Sequence, residues 1–231
     1  MAVITISRQF GSGGDEIANL LCQQSGCRLF DKFLLARAAA ETGFSKEEIV
    51  DYSEDDHKVQ TFLSRLFGSS RAIAQRSVWR EDVSGVRVAE HVELTEDAVI
   101  SLVRKAVEYA GRVGNTVIIG RGGQVILKDH PGALHVRIEA PLEDRILRVR
   151  NNPSLVDQQF ATPVEARRFA QNLIETRDAA SADYLKRFYG VDWSDPMLYH
   201  LVINTGKLTI EQAARLIDET ARMLEGAAEP A

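Results

Sequence analysis

The sequence predicts an α/β fold in which a five-stranded parallel sheet lies between two layers of helices. Five short apolar runs, among them TVIIG and LHVRI, are rich in β-branched residues and lack a polar alternation, as expected of strands that are covered on both faces. Amphipathic segments that carry helix caps lie between these runs. Strands that alternate with helices indicate a doubly wound sheet, and 231 residues suffice for one domain or two.

The elements follow in chain order. The predicted strands are residues 3–6, 28–30, 116–120, 134–138 and 201–204. The helices are predicted from their caps: Gly26 ends the first, Ser45 and Glu48 form a capping box, Thr95 caps the next, Pro141 and the Thr162–Pro163 pair begin two more, and Thr209 with Gln212 caps the last. Residues 44–94 interrupt the alternation with charged and mixed segments, which we interpret as a mobile helical insertion.

Composition excludes several classes of function. The formal net charge of −5 disfavours a broad basic surface for nucleic acid. Cys22 and Cys27 have no neighbouring CxxC or histidine that would complete a metal site, so we expect reduced thiols and a cytoplasmic protein. No stretch is long and apolar enough to predict a membrane span. The apolar FLSRLF stretch at residues 62–67 is a candidate contact for a homodimer.

A glycine-rich turn follows the first predicted strand, in the segment ISRQFGSGGDEI. Glycines 11, 13 and 14 allow a positive φ and a close approach to a ligand, and the next helix points free N–H groups toward the same space. The pattern favours phosphate binding, although glycines also occur where a helix packs closely on a strand. Compared with the G-x-x-x-x-G-K-[ST] loop, Gly14 occupies the lysine position, and Arg8 is the local candidate to replace that charge.

The order of these segments resembles the cytidylate kinase-like family, a branch of the P-loop nucleoside monophosphate kinases whose glycine loop lacks the lysine. ISRQFGSGG resembles the family's loop, RLFDKFLLARAAAETG its second strand and the start of the acceptor region, and NTVIIGRGG the DGRD segment of the kinases. LHVRIEAPLEDRILRV resembles the fourth strand with the arginine helix, and IETRDAASADYLKRFYGVDWSDPMLYHLVINTG the lid and last strand. The resemblance implies a three-layer P-loop kinase fold with an acceptor-side helical insertion at residues 32–95 and a lid at 150–195.

It also implies a reaction, a phosphoryl transfer from ATP with Mg²⁺ to CMP or a similar pyrimidine nucleotide. The residues implied to bind the donor are Gly11, Ser12, Gly13, Gly14, Asp15, Arg145 and Arg148. Those implied for the acceptor are Asp31, Arg37, Arg121 and Arg177, and those implied for catalysis are Arg8, Arg121, Arg177 and Asp178. Planar guanidinium groups bind phosphate in bidentate fashion, which explains the many arginines.

Departures from the family's pattern leave alternatives open. Gly14 replaces the loop lysine, Gly122 replaces the last acid of DGRD, and no acid ends the third strand, so Mg²⁺ would need Asp15, Glu16, Asp31 or phosphates and water. Arg145 and Arg148 could instead form a solvated ion-paired face, Arg37 could lie on the surface, and Asp31 could cap a helix. The alternative functions are a nucleotide-binding regulatory protein and a kinase of a non-nucleotide acceptor.

Overall fold

The structure, a computed structural model, describes residues 2–30, 74–81, 87–94, 96–153, 155 and 160–228. The chain divides into two units, Met1–Phe30 with Val107–Ala231, and Asp31–Ala106. The described strands are β1 (Val3–Arg8), β2 (Arg28–Leu29), β3 (Ala74–Glu81), β4 (Arg87–Leu94), β5 (Thr116–Ile119), β6 (Ala133–Glu139) and β7 (Leu201–Asn204). The helices are α1 (Gly14–Ser25), α2 (Glu96–Val113), α3 (Gly123–Ile126), α4 (Leu142–Asn151), α5 (Pro163–Tyr189), a 3₁₀ turn at Pro196–Leu198 and α6 (Ile210–Ala228).

The first unit contains the predicted five-stranded sheet, in the order β2-β5-β1-β6-β7. Every pairing is parallel, so the carboxyl ends of all five strands lie at one edge. The predicted fold class is thus confirmed as three layers, α/β/α. The glycine-rich turn after β1 and the arginine after β5 both lie at that edge, where α/β proteins bind ligands.

The main core lies between the sheet and the helices α1 and α6. Ile4 and Ile6 of β1 and the alternate residues of β6 face Ile17 and Leu21 of α1 and Ile217 of α6, all buried. The sequence caps these helices as expected: Gly26 ends α1 with a φ of 64°, and Thr209 and Gln212 form the reciprocal box that begins α6. Cys22 and Cys27 at the end of α1 are free thiols, as predicted.

The opposite face of β1 and β6 carries buried polar side chains. Arg137 is 2% exposed, its Nη1 donates to the Trp193 carbonyl oxygen at 2.6 Å, and its guanidinium carbon lies 4.4 Å from the centre of the Trp193 ring. Trp193 Nε1 donates in turn to Ser7 Oγ at 2.8 Å. Trp193 is therefore a packing anchor that fixes the segment after α5 to the sheet.

His135 lies on this polar face and makes stability dependent on pH. Its Nδ1 lies 2.8 Å from Thr5 Oγ1, and its backbone N–H donates to His200 Nδ1. Burial, followed by the effect of His200, lowers the pKa of His135 from 6.5 to about 4, with His130 adding to this and the Leu127 carbonyl opposing it. Between these values the unfolded chain binds more protons than the folded protein, so stability falls as the pH decreases from 6.5 toward 4.

We therefore expect the free energy of unfolding to fall by about 2 kcal/mol between pH 7 and pH 5 through His135 alone. Urea unfolding at both pH values measures this fall, and His135→Gln, which keeps a hydrogen-bonding group beside Thr5, isolates it. The difference between the two proteins should shrink as the pH decreases. Equal pH slopes in the two proteins would contradict the assignment.

Two local predictions differ from the structure. Pro141 is the N-cap of α4, one residue before its predicted place in the first turn, and its ψ of 144° is extended. Within the predicted helical insertion, the described residues 74–81 and 87–94 form two antiparallel strands. The prediction of helix was therefore wrong for these residues. Val78, Val88 and Val92 lie in these two segments, and Ser84 and Gly85 lie between the segments in the sequence. β-branched residues on both sides of a glycine are a strand signal, and the charged residues obscured it.

Among the described residues, no helix combines the length and the apolar character that crossing a membrane requires.

Candidate active site

The loop between β1 and α1 has a backbone geometry that suits an anion. Gly11 and Gly13 have φ values of 77° and 87°, which only glycine adopts without strain. Gly13 is the N-cap of α1 and supplies no side-chain cap, and the first helical hydrogen bond runs from Ile17 N–H to the Gly13 carbonyl. The N–H groups that precede this bond point out of the helix, where the helix dipole favours negative charge. This geometry suits phosphate, and phosphate binding by the loop stays a prediction.

Ser12 shapes this loop from inside. Its Oγ donates to the Ile138 carbonyl and its N–H to the Gln9 carbonyl, and the residue is fully buried. The Ser12 carbonyl accepts a hydrogen bond from Thr205 Oγ1 at 2.6 Å. These bonds direct the side chain and the N–H of Ser12 toward other protein groups. The predicted contact of Ser12 with a ligand stays a prediction.

Arg8 occupies the space beside Gly14. A Cβ at Gly14 would lie 2.7 Å from Arg8 Cβ and 2.8 Å from Arg8 Cγ, so no side chain fits there while Arg8 keeps its place. The Arg8 guanidinium reaches Asp15, with Nη2 3.3 Å from Oδ1, and its Nη1 would lie 3.3 Å from a Cβ at Gly120. The side chain therefore runs along the loop from β1 toward the end of β5.

Arg121 projects from a turn of unusual backbone geometry at the end of β5. Gly120, Arg121 and Gly122 have φ values of 65°, 59° and 71°, and Arg121 is the non-glycine residue among them. Crowding by protein atoms lowers the pKa of Arg121, with Tyr184 opposing and Arg8 adding to the effect. The residue nevertheless keeps an exposed surface, so we describe it as a charged group open to solvent. A strained, charged residue at the carboxyl edge of a sheet indicates a functional position.

The two arginines of α4 hold the loop from its outer side. Arg145 Nη1 lies 2.5 Å from Asp178 Oδ2 and 3.4 Å from the Phe10 carbonyl, and the residue is buried. Arg148 donates to the Gly11 carbonyl at 3.4 Å and to both Thr205 oxygens. These contacts are with the protein itself, so the structure makes both arginines braces of the loop, and their predicted contacts with a ligand stay predictions.

The predicted pair on α5 lies against the same loop. Asp178 Oδ1 accepts the Phe10 N–H at 2.8 Å, while Oδ2 accepts from Arg145. The Arg177 guanidinium carbon lies 5.6 Å from the centre of the Phe10 ring. The structure thus brings Arg8, Arg121, Arg177 and Asp178 together around the loop, although the carboxylate of Asp178 is engaged. Asp31 and Arg37 lie outside the described residues, as does the apolar stretch at 62–67.

A cleft that the sequence analysis missed opens beside the loop. It measures about 400 Å³ and is lined by Arg148 and residues 205–211. Gly13 packs directly against Ile210 of this lining, because a Cβ at Gly13 would lie 2.4 Å from Ile210 Cδ1. The signal was available in the sequence: residues 205–209 follow the last strand of a parallel sheet, whose carboxyl edge binds ligands. The volume suits a nucleoside.

Metal ligands are sparse around the loop. Among the described residues, no group of three histidines, cysteines or acids is placed to hold a metal ion. Asp15 and Glu16 supply carboxylates in the first turn of α1, and Asp15 is already paired with Arg8. This donor set fits a Mg²⁺ ion that takes one or two carboxylates and is otherwise bound by phosphate oxygens and water.

Comparison with known proteins gives a consistent family. The model of the cytidylate kinase-like family matches residues 3–207. A curated relative, the cytidylate kinase of Aeropyrum pernix, is 29% identical over 150 residues, which are 64% of this chain and 79% of that protein.

One solved structure supports the fold, and a second is reported for its similarity alone. The crystal structure of an uncharacterized protein from Eubacterium ventriosum has a TM-score of 0.58 at 16% identity and covers 96% of this chain and 99% of its own. A shikimate kinase from Bacteroides thetaiotaomicron has a TM-score of 0.48 at 13% identity, with 96% and 98% covered.

Proposed function

Because the chain belongs to the cytidylate kinase-like family, we propose that it transfers the γ-phosphoryl group of ATP to a nucleoside monophosphate, with CMP or a related pyrimidine nucleotide as acceptor. The name of the Aeropyrum pernix relative supports the choice of CMP. The observation that carries the proposal is the glycine loop at the carboxyl edge of β1, with Arg8 and Arg121 beside it.

The donor nucleotide would lie along the loop and the adjoining cleft. The N–H groups at the start of α1 would bind its phosphates, and the cleft lined by Arg148 and residues 205–211 would take its nucleoside. Thr205 joins the two parts, because its Oγ1 donates to the Ser12 carbonyl in the loop and accepts from Arg148. A ligand that spans both would therefore meet a loop and a cleft fixed to each other.

The residues around the loop suit phosphoryl transfer. The transition state is loose and carries charge spread over the phosphoryl oxygens, so the protein contributes mainly positioning and positive charge. Arg8, Arg121 and Arg177 would supply that charge. Asp178 would act by positioning, since its carboxylate joins the Phe10 N–H to Arg145. Asp31 and Arg37 are proposed for the acceptor side.

Mg²⁺ would bind beside the loop with Asp15 or Glu16 as its protein ligand. The chemistry that the ion would supply is to offset the negative charge of the donor phosphates.

A coupled assay of ADP release tests this function. Purified protein with ATP and Mg²⁺ is offered CMP, dCMP, UMP, AMP and GMP in turn. We expect turnover with a pyrimidine nucleotide. The kcat should be of the order usual for kinases, roughly 1–100 s⁻¹. ATP binding in calorimetry without turnover of any acceptor would contradict the proposal. It would favour a regulatory nucleotide-binding protein, for which the missing loop lysine is the supporting observation.

A further inference from the structure

The loop lacks its lysine, yet the structure shows a cation close to the place that lysine would occupy. In the G-x-x-x-x-G-K pattern the first glycine and the lysine are six residues apart. Here the corresponding positions are 8 and 14, and they hold arginine and glycine. The two residue types are thus exchanged in part: a long cation stands where the pattern has glycine, and glycine stands where the pattern has the cation.

The packing shows that this exchange is reciprocal. The direction that a Cβ of residue 14 would take is filled by Cβ and Cγ of Arg8, at 2.7 and 2.8 Å. A lysine at 14 would require Arg8 to leave, and Arg8 in its present place requires glycine at 14. The space has room for one long side chain, and in this protein that side chain belongs to Arg8 at the end of β1 and not to residue 14 at the start of α1.

Asp15, in the first turn of α1, forms an ion pair with the Arg8 guanidinium. Nη2 of Arg8 lies 3.3 Å from Oδ1 of Asp15, and the two side chains are 32% and 57% exposed. Ion pairs this exposed are weak, so phosphate oxygens bound by the loop can displace the carboxylate. Arg121 is close enough for the charge of Arg8 to lower its pKa, so an anion near both guanidinium groups would relieve that repulsion.

Resting on the function proposed above, we propose that Arg8 is the phosphate-binding cation of this loop, in place of the lysine, and that Asp15 is its counter-ion when no phosphate is bound. Phosphate binding exchanges the Asp15 contact for contacts with phosphate oxygens. The carboxylate therefore sets the affinity of the loop, and the glycine at position 14 is required by Arg8.

Binding by the full-length protein, measured by calorimetry at fixed ionic strength without Mg²⁺, tests this. The probes are ATP and inorganic tripolyphosphate, the latter lacking any base. We expect Arg8→Met to raise the Kd of both by at least about tenfold and Arg8→Lys to raise it less. Asp15→Asn should lower both Kd values by about two- to fivefold, and more in the wild-type background than in Arg8→Met. Asp218→Asn, which removes the same charge beside Ser25 at the far end of α1, should change neither.

A swap of the two positions gives the decisive comparison. Gly14→Lys alone should weaken tripolyphosphate binding because its Cβ meets Arg8. The double variant Arg8→Gly/Gly14→Lys restores the G-x-x-x-x-G-K pattern and should recover binding to within about threefold of the wild type. Circular dichroism confirms that each variant is folded.

Each outcome decides between the proposals. Unchanged tripolyphosphate affinity in folded Arg8→Met would overturn the role of Arg8. Equal gains from Asp15→Asn in both backgrounds would overturn the role of Asp15 as counter-ion. The protein could bind tripolyphosphate in a way that depends on Arg8 and yet phosphorylate no nucleotide. That result would support this inference and contradict the function proposed above. If the wild type bound neither probe, both would be overturned.

Discussion

Replacing Arg121 with alanine is expected to lower the kcat for phosphoryl transfer by roughly 10²- to 10³-fold. The variant lacks one fixed charge that stabilises the transition state. The side chain stands at the carboxyl edge of the sheet, close to Arg8 and Tyr184. The backbone that carries it is strained, with a φ of 59° between two glycines that also have positive φ. Such strain persists when the position serves a function, since glycine would adopt the same backbone freely.

This strain separates the catalytic from the structural role. Alanine keeps the Cβ and with it the strain, so the free energy of unfolding of Arg121→Ala should match the wild type. Arg121→Gly should lose the same activity yet gain up to about 1 kcal/mol of stability. Steady-state kinetics and urea unfolding of the two variants measure both effects. Arg112→Ala at the exposed end of α2 is the matched control and should change neither.

Unchanged turnover in Arg121→Ala would remove Arg121 from the active site. A loss of stability in Arg121→Gly would show instead that the side chain holds the turn in place.

The second large effect is expected at Arg145, whose loss should reduce the free energy of unfolding by about 3 kcal/mol or more. Its guanidinium lies 2.5 Å from Asp178, the two side chains are 10% and 20% exposed, and the pair joins α4 to α5. Arg145→Met preserves much of the volume but leaves the Asp178 carboxylate buried without its cation. Because Asp178 also accepts the Phe10 N–H, the glycine loop should loosen along with the two helices.

A second variant tests the physical cause. Arg145→Met/Asp178→Asn removes both charges and keeps an oxygen for the Phe10 N–H, so it should recover much of the lost stability. Thermal and urea unfolding measure the series, and Arg150→Met, exposed on the same helix, should stay within about 0.5 kcal/mol of the wild type. If the double variant were as unstable as the single one, packing of Arg145 and not its charge would be responsible.

Much of the fold could be predicted from the sequence because its signals are local. The β-branched runs, the capping box at Thr209 and Gln212, and the Thr162–Pro163 start of α5 each depend on residues close together in the chain. The antiparallel pair of strands at 74–81 and 87–94 was missed because charged residues mask its strand pattern. That the loop and Arg121 lie at the same edge of the sheet was also predictable, since parallel strands bring their carboxyl ends to one edge.

The sequence by itself determined the strands of the main sheet and the helix caps around them, and it indicated the edge at which we place the site. Only the tertiary structure decided what each charged side chain faces. Arg145 and Asp178 turn toward each other and the loop backbone, and Arg8 fills the space that Gly14 leaves. The physical reason is range: strand and helix signals repeat over two to four residues, whereas Asp178 finds its partner in Phe10 across 168 positions of chain, where only packing sets the distance.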